Sequence, residues 1–296
     1  MATLATVETL PTVRAKRDAS LRRRKLVLRI FTYAVLTLTL AFVLLPLYWM
    51  VTTSLKLPRE IYRVPALWPQ EMTGDNYRVL IEEKDFLTNI RNSLIVACSV
   101  TFVSLFISSF AAYSVVRFKY KFKGIIGRII LFAYLTPTSL LFIPLAIIVA
   151  NLNLGNSLIG LIIVYLTFSL PLSTWLLQGY FRNIPRELEE QAMVDGSTRL
   201  GALFRILLPL SLPGLAAVAI FTFTGAWNEL LLALIFITSE SKRTVPLGIN
   251  YLITSDVLPW GHLMAGAVLS SLPVILLYFI AQRFMISGAT SGSVKG

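Results

Sequence analysis

Long stretches without a charged residue recur along this chain, with polar and basic segments between them. Ile30 to Leu55, Asn92 to Val116, Ile129 to Phe181 and Val257 to Gln282 contain no Asp, Glu, Lys or Arg, and Ile206 to Ser239 contains only Glu229. A hydrocarbon core about 30 Å thick is crossed by roughly 20 helical residues. The third stretch is long enough for two crossings and is divided by the turn-rich segment Asn151 to Ser157. The pattern therefore predicts six transmembrane helices, at about 30–55, 92–116, 129–150, 158–181, 208–237 and 261–282. Backbone groups in lipid must be satisfied internally, and these spans lack the short alternating segments of barrel strands, so the fold class is an all-α polytopic membrane protein.

Composition agrees with this reading. The chain has 296 residues, of which 56% are hydrophobic and 14% charged; a soluble domain has about a quarter of its residues charged. The net charge of +12 does not point to nucleic acid, because the basic residues sit between apolar spans and do not gather on a soluble face with stacking aromatics. Eight Lys and Arg fall in residues 1–29, five in 117–128, four in 182–205 and two near the C-terminal end. The positive-inside rule then places both termini and the second and fourth inter-helix loops in the cytoplasm. The basic run Arg22 to Lys25 precedes an apolar stretch too long for a signal h-region and without an A-x-A-like site, so it reads as a retained anchor. This gives a basic cytoplasmic arm over 1–29, a membrane domain over 30–286 and a cytoplasmic tail over 287–296.

The loop from 182 to 207 has the most local structure. Pro185 suits a first helical position, and Glu187, Glu189 and Glu190 favour the positive end of a helix dipole. Gly196 can close that helix in the left-handed conformation, and Ser197 or Thr198 can cap the next. The loop is predicted to project a helix–turn–helix knob. On physics alone, an interfacial amphipathic connector would read the same way.

Spacing separates the two readings. Glu190-Gln191-Ala192, three residues, Gly196, nine residues and Ile206-Leu207-Leu208-Pro209 resemble the EAA loop of bacterial ABC importer permeases, with Gln191 standing where the pattern has its first alanine. Fragments along most of the chain resemble the carbohydrate-type, MalG-like branch of those permeases. They include Leu45 to Met50, Asn76-Tyr77-Arg78, Asn92-Ser93-Leu94, Ala111-Ala112-Tyr113, Arg117-Phe118, Trp227-Asn228-Glu229 and the tail from Gly288. The resemblance implies the type I importer (MetI-like) permease fold and a coupling helix seated in an ATPase subunit. Glu190 would meet a basic group there, Ala192 would allow close approach, Gly196 would set the turn and Asp195 would stabilise it. It also implies partners: a second, MalF-like permease subunit, two copies of a cytoplasmic nucleotide-binding ATPase and an extracytoplasmic sugar-binding protein, all working at the cytoplasmic (inner) membrane.

Other chemistry is sparse. No G-x-x-x-x-G-K-[ST] phosphate loop occurs, so ATP and Mg are expected on partner subunits, with no cofactor on this chain. Cys98 stands alone in an apolar stretch, His262 is the one histidine, and no catalytic or metal-binding constellation is visible. Glu229 is a costly intramembrane carboxylate. It can make a structural hydrogen bond near Asn228 and Trp227, face the solute path together with Asn228, or couple protons. The resulting expectation is a non-catalytic permease subunit importing a di- or oligosaccharide, with glycerol phosphate or a polyol as the alternative solute. A secondary transporter is the competing class.

Overall fold

The computed structural model describes residues 10–63, 66–253 and 258–291. The start of the basic arm, residues 1–9, and the end of the tail, residues 292–296, lie outside the described residues. The described residues form helices joined by turns, with no strand among them, as the sequence predicts.

The chain opens with α1 (Leu10–Ser54), followed outside the bundle by α2 (Pro58–Arg63) and by α3 (Asp75–Arg78), which runs on into a π-helical turn over Val79–Glu83. Then come α4 (Phe86–Arg117), α5 (Lys123–Leu135), α6 (Thr138–Asn151) and α7 (Leu158–Arg182). The knob carries α8 (Glu187–Val194) and α9 (Arg199–Ala202), a π-helical turn over Leu203–Leu207 and the short α10 (Leu208–Leu210). The chain closes with α11 (Leu212–Asn228), α12 (Leu231–Phe236), α13 (Val245–Asn250) and α14 (Trp260–Ser291).

Among the described residues, four helices are long and apolar enough to cross a membrane, and two further pairs bring the number to six if each bent pair is one span. The predicted third span is one such pair, breaking at Thr136-Pro137 where α5 gives way to α6. The predicted fifth span differs from one continuous helix over 208–237. Leu208 and Pro209 lie before a 77° bend at Ser211, so the upright helix begins at Leu212. It stops at Asn228, because Glu229 has an extended backbone (φ −73°, ψ 120°). At 1.5 Å per residue, the 17 residues of α11 rise roughly 25 Å, short of a hydrocarbon core, and α12 completes the distance.

The centre of the bundle is the pair α4 and α7, with α11 against both. The close approach follows from small side chains: Ser104, Ser108 and Ala112 recur one turn apart on α4, and all are fully buried. Ser108 also donates its hydroxyl to the Leu170 carbonyl at 3.3 Å, one residue before Pro171 inside α7. Helix α1 exposes most of its apolar side chains over Leu26–Leu45 and packs on α14. At the opposite end from the knob, buried amides fasten the short elements. Asn92 donates to the carbonyls of Ser241 and Arg243, both at 2.9 Å, and Asn76 donates to those of Ser54 and Lys56 at 2.9 and 3.0 Å.

Candidate functional site: the knob and a mid-bundle cavity

The knob is built from local rules. Helix α8 starts at Glu187 with three acids in its first turn, which suits the positive end of its dipole. Pro185 stands two residues ahead of that helix rather than in its first position, and the Arg186 carbonyl accepts the first amides, from Glu189 and Glu190, at 3.0 Å each. Gly196 has φ +90°, the conformation glycine adopts without steric cost. Its amide bonds the Met193 carbonyl at 3.1 Å, and the next amide, of Ser197, bonds the Ala192 carbonyl at 2.9 Å, which together form a Schellman cap. Thr198, rather than Ser197, caps α9 by accepting from the Gly201 amide at 3.0 Å. Asp195 is the C-cap residue of α8: its amide bonds the Gln191 carbonyl, and its exposed carboxylate has no hydrogen-bond partner among the described residues. Beyond the turn, Ile206 lies in the π-helical segment and is half-buried, while Leu208 and Pro209 open α10 before the bend.

The two neighbouring acids of α8 have separate roles. Glu190 is exposed with no ion-pair partner among the described residues, as is Gln191 beside it with its side chain in solvent. Glu189 is 4% exposed and its Oε1 accepts from Arg117 Nε at 2.6 Å. Arg117 is the last residue of α4, and its second arm reaches the Ile184 carbonyl at 2.9 Å. Arg186 donates back to the Val116 carbonyl at 2.8 Å, and Tyr113 donates to the Arg199 carbonyl at 3.2 Å. Leu203 and Leu207 of the π-turn are fully buried against Tyr113, Val116, Leu177 and Phe181. Polar stitches and apolar packing thus fix the knob to the ends of α4 and α7. The free face carries Glu190, Met193 and Val194, the last 87% exposed.

Sequence reasoning reached Glu190, Ala192 and Gly196 through motif spacing. It read Glu189 only as a helix-dipole acid, not as the buried partner of Arg117, and used Arg117 only as a family fragment. The available signal was the single basic residue, Arg117, ending an apolar helix, together with an acid-rich helix elsewhere in the chain, since a buried acid requires a cationic partner.

A second site lies deeper in the bundle, where both broken spans meet α7. Tyr134 and Thr136 from the first break, Tyr165 and Ser169 from α7, Thr222 from α11 and Glu229 from the second break line a cavity of about 230 Å³. Irregular backbone at membrane depth is tolerated where protein or a water-filled cavity surrounds it. Glu229 makes its structural bonds with partners other than Asn228 and Trp227. Its carboxylate accepts from the Tyr165 hydroxyl at 3.0 Å and from the Leu232 amide at 3.0 Å, so it caps α12. Asn228 is exposed and turns back to the Thr224 carbonyl at 3.0 Å, and Trp227 is buried and stacked on Phe223. No group of three or more His, Cys, Asp or Glu placed to hold a metal occurs among the described residues.

Comparison with known proteins agrees with this architecture. Residues 104–289 match the family described as binding-protein-dependent transport system inner membrane component. The chain is 38% identical over 254 residues to the sulfoquinovosyl glycerol transport system permease protein SmoH of Agrobacterium fabrum, covering 86% of this chain and 89% of the relative. It is 36% identical over 256 residues to the trehalose/maltose transport system permease protein MalG of Thermococcus litoralis, covering 86% and 92%. Its fold matches a chain of a bacterial ABC transporter involved in the import of the acidic polysaccharide alginate, with a TM-score of 0.73 at 20% identity over 88% of this chain and 97% of that one. The expected MetI-like fold and the resemblance to carbohydrate-type permeases are therefore borne out, and the chain belongs to the family of inner membrane components of binding-protein-dependent transport systems.

Proposed function

We propose that this chain is one of two permease subunits of an ATP-driven importer, that its cargo is a di- or oligosaccharide, and that residues 182–207 are its coupling loop. The observation that carries the reading is the rigidly mounted knob with a free acidic and apolar tip at Glu190, Met193 and Val194. A tip of this kind suits a cleft with one basic group and an apolar floor on an ATPase subunit. Glu190 is the ionic contact, Gln191 and Ala192 lie at the docked face, and Gly196 holds the turn. Ile206, Leu208 and Pro209 lead into the bend at Ser211, and Asp195 stays free for the partner. Because Arg117, Arg186 and Tyr113 bind the knob to α4, displacement of the knob drags the end of that helix. ATP and Mg are held by two copies of the ATPase subunit and hydrolysis occurs there, while this chain performs no chemistry. A second, MalF-like permease completes the path, and a binding protein delivers sugar from outside. The termini, including the arm at 1–29 and the tail at 287–296, face the cytoplasm.

The path face on this subunit is the cavity at the two helix breaks, which Glu229 lines and beside which Asn228 stands next in the chain. Hydroxyls of Tyr134, Thr136, Ser169 and Thr222 offer neutral donors and acceptors, and no Lys or Arg lines the cavity. A carboxylate without a cation disfavours a phosphorylated solute, which sets glycerol phosphate below sugar. Co-purification from the native membrane tests the assignment. A nucleotide-binding ATPase and a second permease are expected with the tagged chain, and a Glu190→Ala variant is expected to keep insertion while losing ATP-coupled uptake. A stable homo-oligomer that transports without ATP would overturn it.

A further inference from the structure

A groove outside both sites lies between the start of α5 and the last turns of α7 and encloses about 740 Å³. Its polar edge is uniformly cationic: Lys123, Arg128 and Arg182 line it, and no acid does. None of the three has an ion-pair partner among the described residues, and Glu189, the buried carboxylate of the neighbouring knob, is taken by Arg117. Lys123 and Arg128 use single bonds to the carbonyls of Val116 and Gly124, which satisfy a donor and leave the charge uncompensated.

Gln178 supplies a second, independent sign of a missing ligand. The residue is 3% exposed, its Oε1 accepts from Arg182 at 3.3 Å, and its Nε2 lies buried at the groove with no hydrogen-bond partner among the described residues. A buried donor left unpaired costs about 1–3 kcal/mol, so native proteins rarely keep one without a use. Three cations and a spare amide donor describe a phosphate-sized anion.

The rest of the groove describes what that anion is attached to. Below the cations the lining is apolar, with Val115, Leu131 and Leu176, and two aromatics with polar edges, Trp175 and Tyr180, stand exposed beside it at the level where charged residues begin. Trp and Tyr at that level mark a membrane–water boundary, and basic pockets between membrane helices on the cytoplasmic side hold anionic lipid headgroups. A free phosphate has no use for the apolar part. The geometry points to an anionic phospholipid seated here, with its phosphodiester on Lys123, Arg128, Arg182 and the Gln178 amide and its first acyl carbons along Leu131 and Leu176. This inference rests on the proposed orientation, with 117–128 and 182–205 in the cytoplasm, and not on the coupling role of Glu190. The position has a consequence: α5 leads to the break at Thr136 and α7 carries Tyr165, so the lipid braces the base of both walls of the mid-bundle cavity.

The test uses the full-length chain, purified gently and exchanged into nanodiscs containing equal amounts of phosphatidylglycerol and phosphatidylcholine, with retained lipid measured by native mass spectrometry. The wild type is expected to retain phosphatidylglycerol in preference. Each of Lys123→Gln and Arg128→Gln is expected to lower that preference roughly fivefold, since a basic residue near an anionic headgroup is worth that much. Gly179→Leu blocks the groove without touching a charge, because a side chain at Gly179 meets nothing within 4 Å, and it is expected to remove the bound lipid with the fold intact. Equal retention of both lipids by the wild type, or unchanged preference in all three variants, would overturn the assignment. Displacement of the lipid by inorganic phosphate would make this a free-anion site. A Gly179→Cys probe that crosslinks to a co-purified protein chain would make it a subunit interface. An uncoupled Glu190 variant that still retains phosphatidylglycerol separates this result from the docking assignment.

Discussion

Arg117 Nε and Glu189 Oε1 lie 2.6 Å apart, with their side chains 9% and 6% exposed, and the pair joins the end of a membrane helix to the helix of the knob. Breaking such a pair from one side leaves a buried charge without compensation, which costs about 3–5 kcal/mol, whereas replacing both partners by apolar groups is often close to neutral. Arg117→Ala is therefore expected to loosen the knob strongly, Glu189→Gln less so, and the double change Arg117→Met with Glu189→Leu to recover most of the loss. Hydrogen exchange of the amides over 187–194 reads this directly. Equal protection in the single and double variants would contradict the latch.

The tip of the knob is expected to behave in the opposite way. Glu190→Gln touches no internal partner, so exchange and thermal stability should be unchanged while transport-coupled ATP hydrolysis falls. Gly196→Val should disturb both, because a β-branched residue at φ +90° is strained by about 1–2 kcal/mol and the Schellman cap depends on that conformation. Stability and coupling measured on the same preparations separate a docking residue from a structural one.

The contrast between these adjacent acids shows where sequence is informative. Lipid imposes composition on a span, so the places of the membrane helices were legible from runs without charge, and the knob was legible because its caps are local. Breaks within spans were not. Pro137 does lie at one break, yet Pro171 and Pro273 sit inside the unbroken α7 and α14, so proline alone does not locate a break. The break after Asn228 contains no proline at all and depends on Tyr165, 64 residues away, holding Glu229. Likewise, nothing in the run Glu187 to Glu190 tells which acid turns inward. That choice is made by where α4 ends.

The Tyr165–Glu229 contact supports a graded prediction. Tyr165→Phe removes one hydrogen bond to a carboxylate, worth about 1.5–3 kcal/mol, but leaves the bonds from the Leu232 amide. Glu229→Gln keeps an acceptor for both and is expected to cost least. Glu229→Leu strips the cap from α12 and leaves the Tyr165 hydroxyl only the backbone carbonyl of residue 229, at 3.3 Å, so it is expected to cost most. Thermal unfolding of the purified variants gives the order, and sugar uptake by the same variants tests the path role: Glu229→Gln with full stability and reduced uptake is the expected signature of a residue that meets solute.

Asn92 offers the most stringent test of the packing at the end of the bundle opposite the knob. Its amide nitrogen donates both hydrogens, to the carbonyls of Ser241 and Arg243, while the neighbouring Ser93 hydroxyl accepts from the Val245 amide at 2.8 Å. Together they hold the segment between α12 and α13 onto α4. The requirement is for two donors, which fixes the response to substitution. Asn92→Ala leaves two carbonyls without protein partners, which costs about 1–3 kcal/mol if water does not replace the amide. Asn92→Asp is nearly isosteric but acceptor-only when ionised, so it sets a buried carboxylate against two carbonyl oxygens and is expected to be worse than alanine. Because an acid in this position must be protonated to donate even one hydrogen, the Asp variant should gain stability as pH falls, and the Ala variant should not. A pH series of unfolding temperatures for both variants decides the matter: parallel curves would mean that Asn92 acts through its shape, and converging curves at low pH would mean that it acts through its donors.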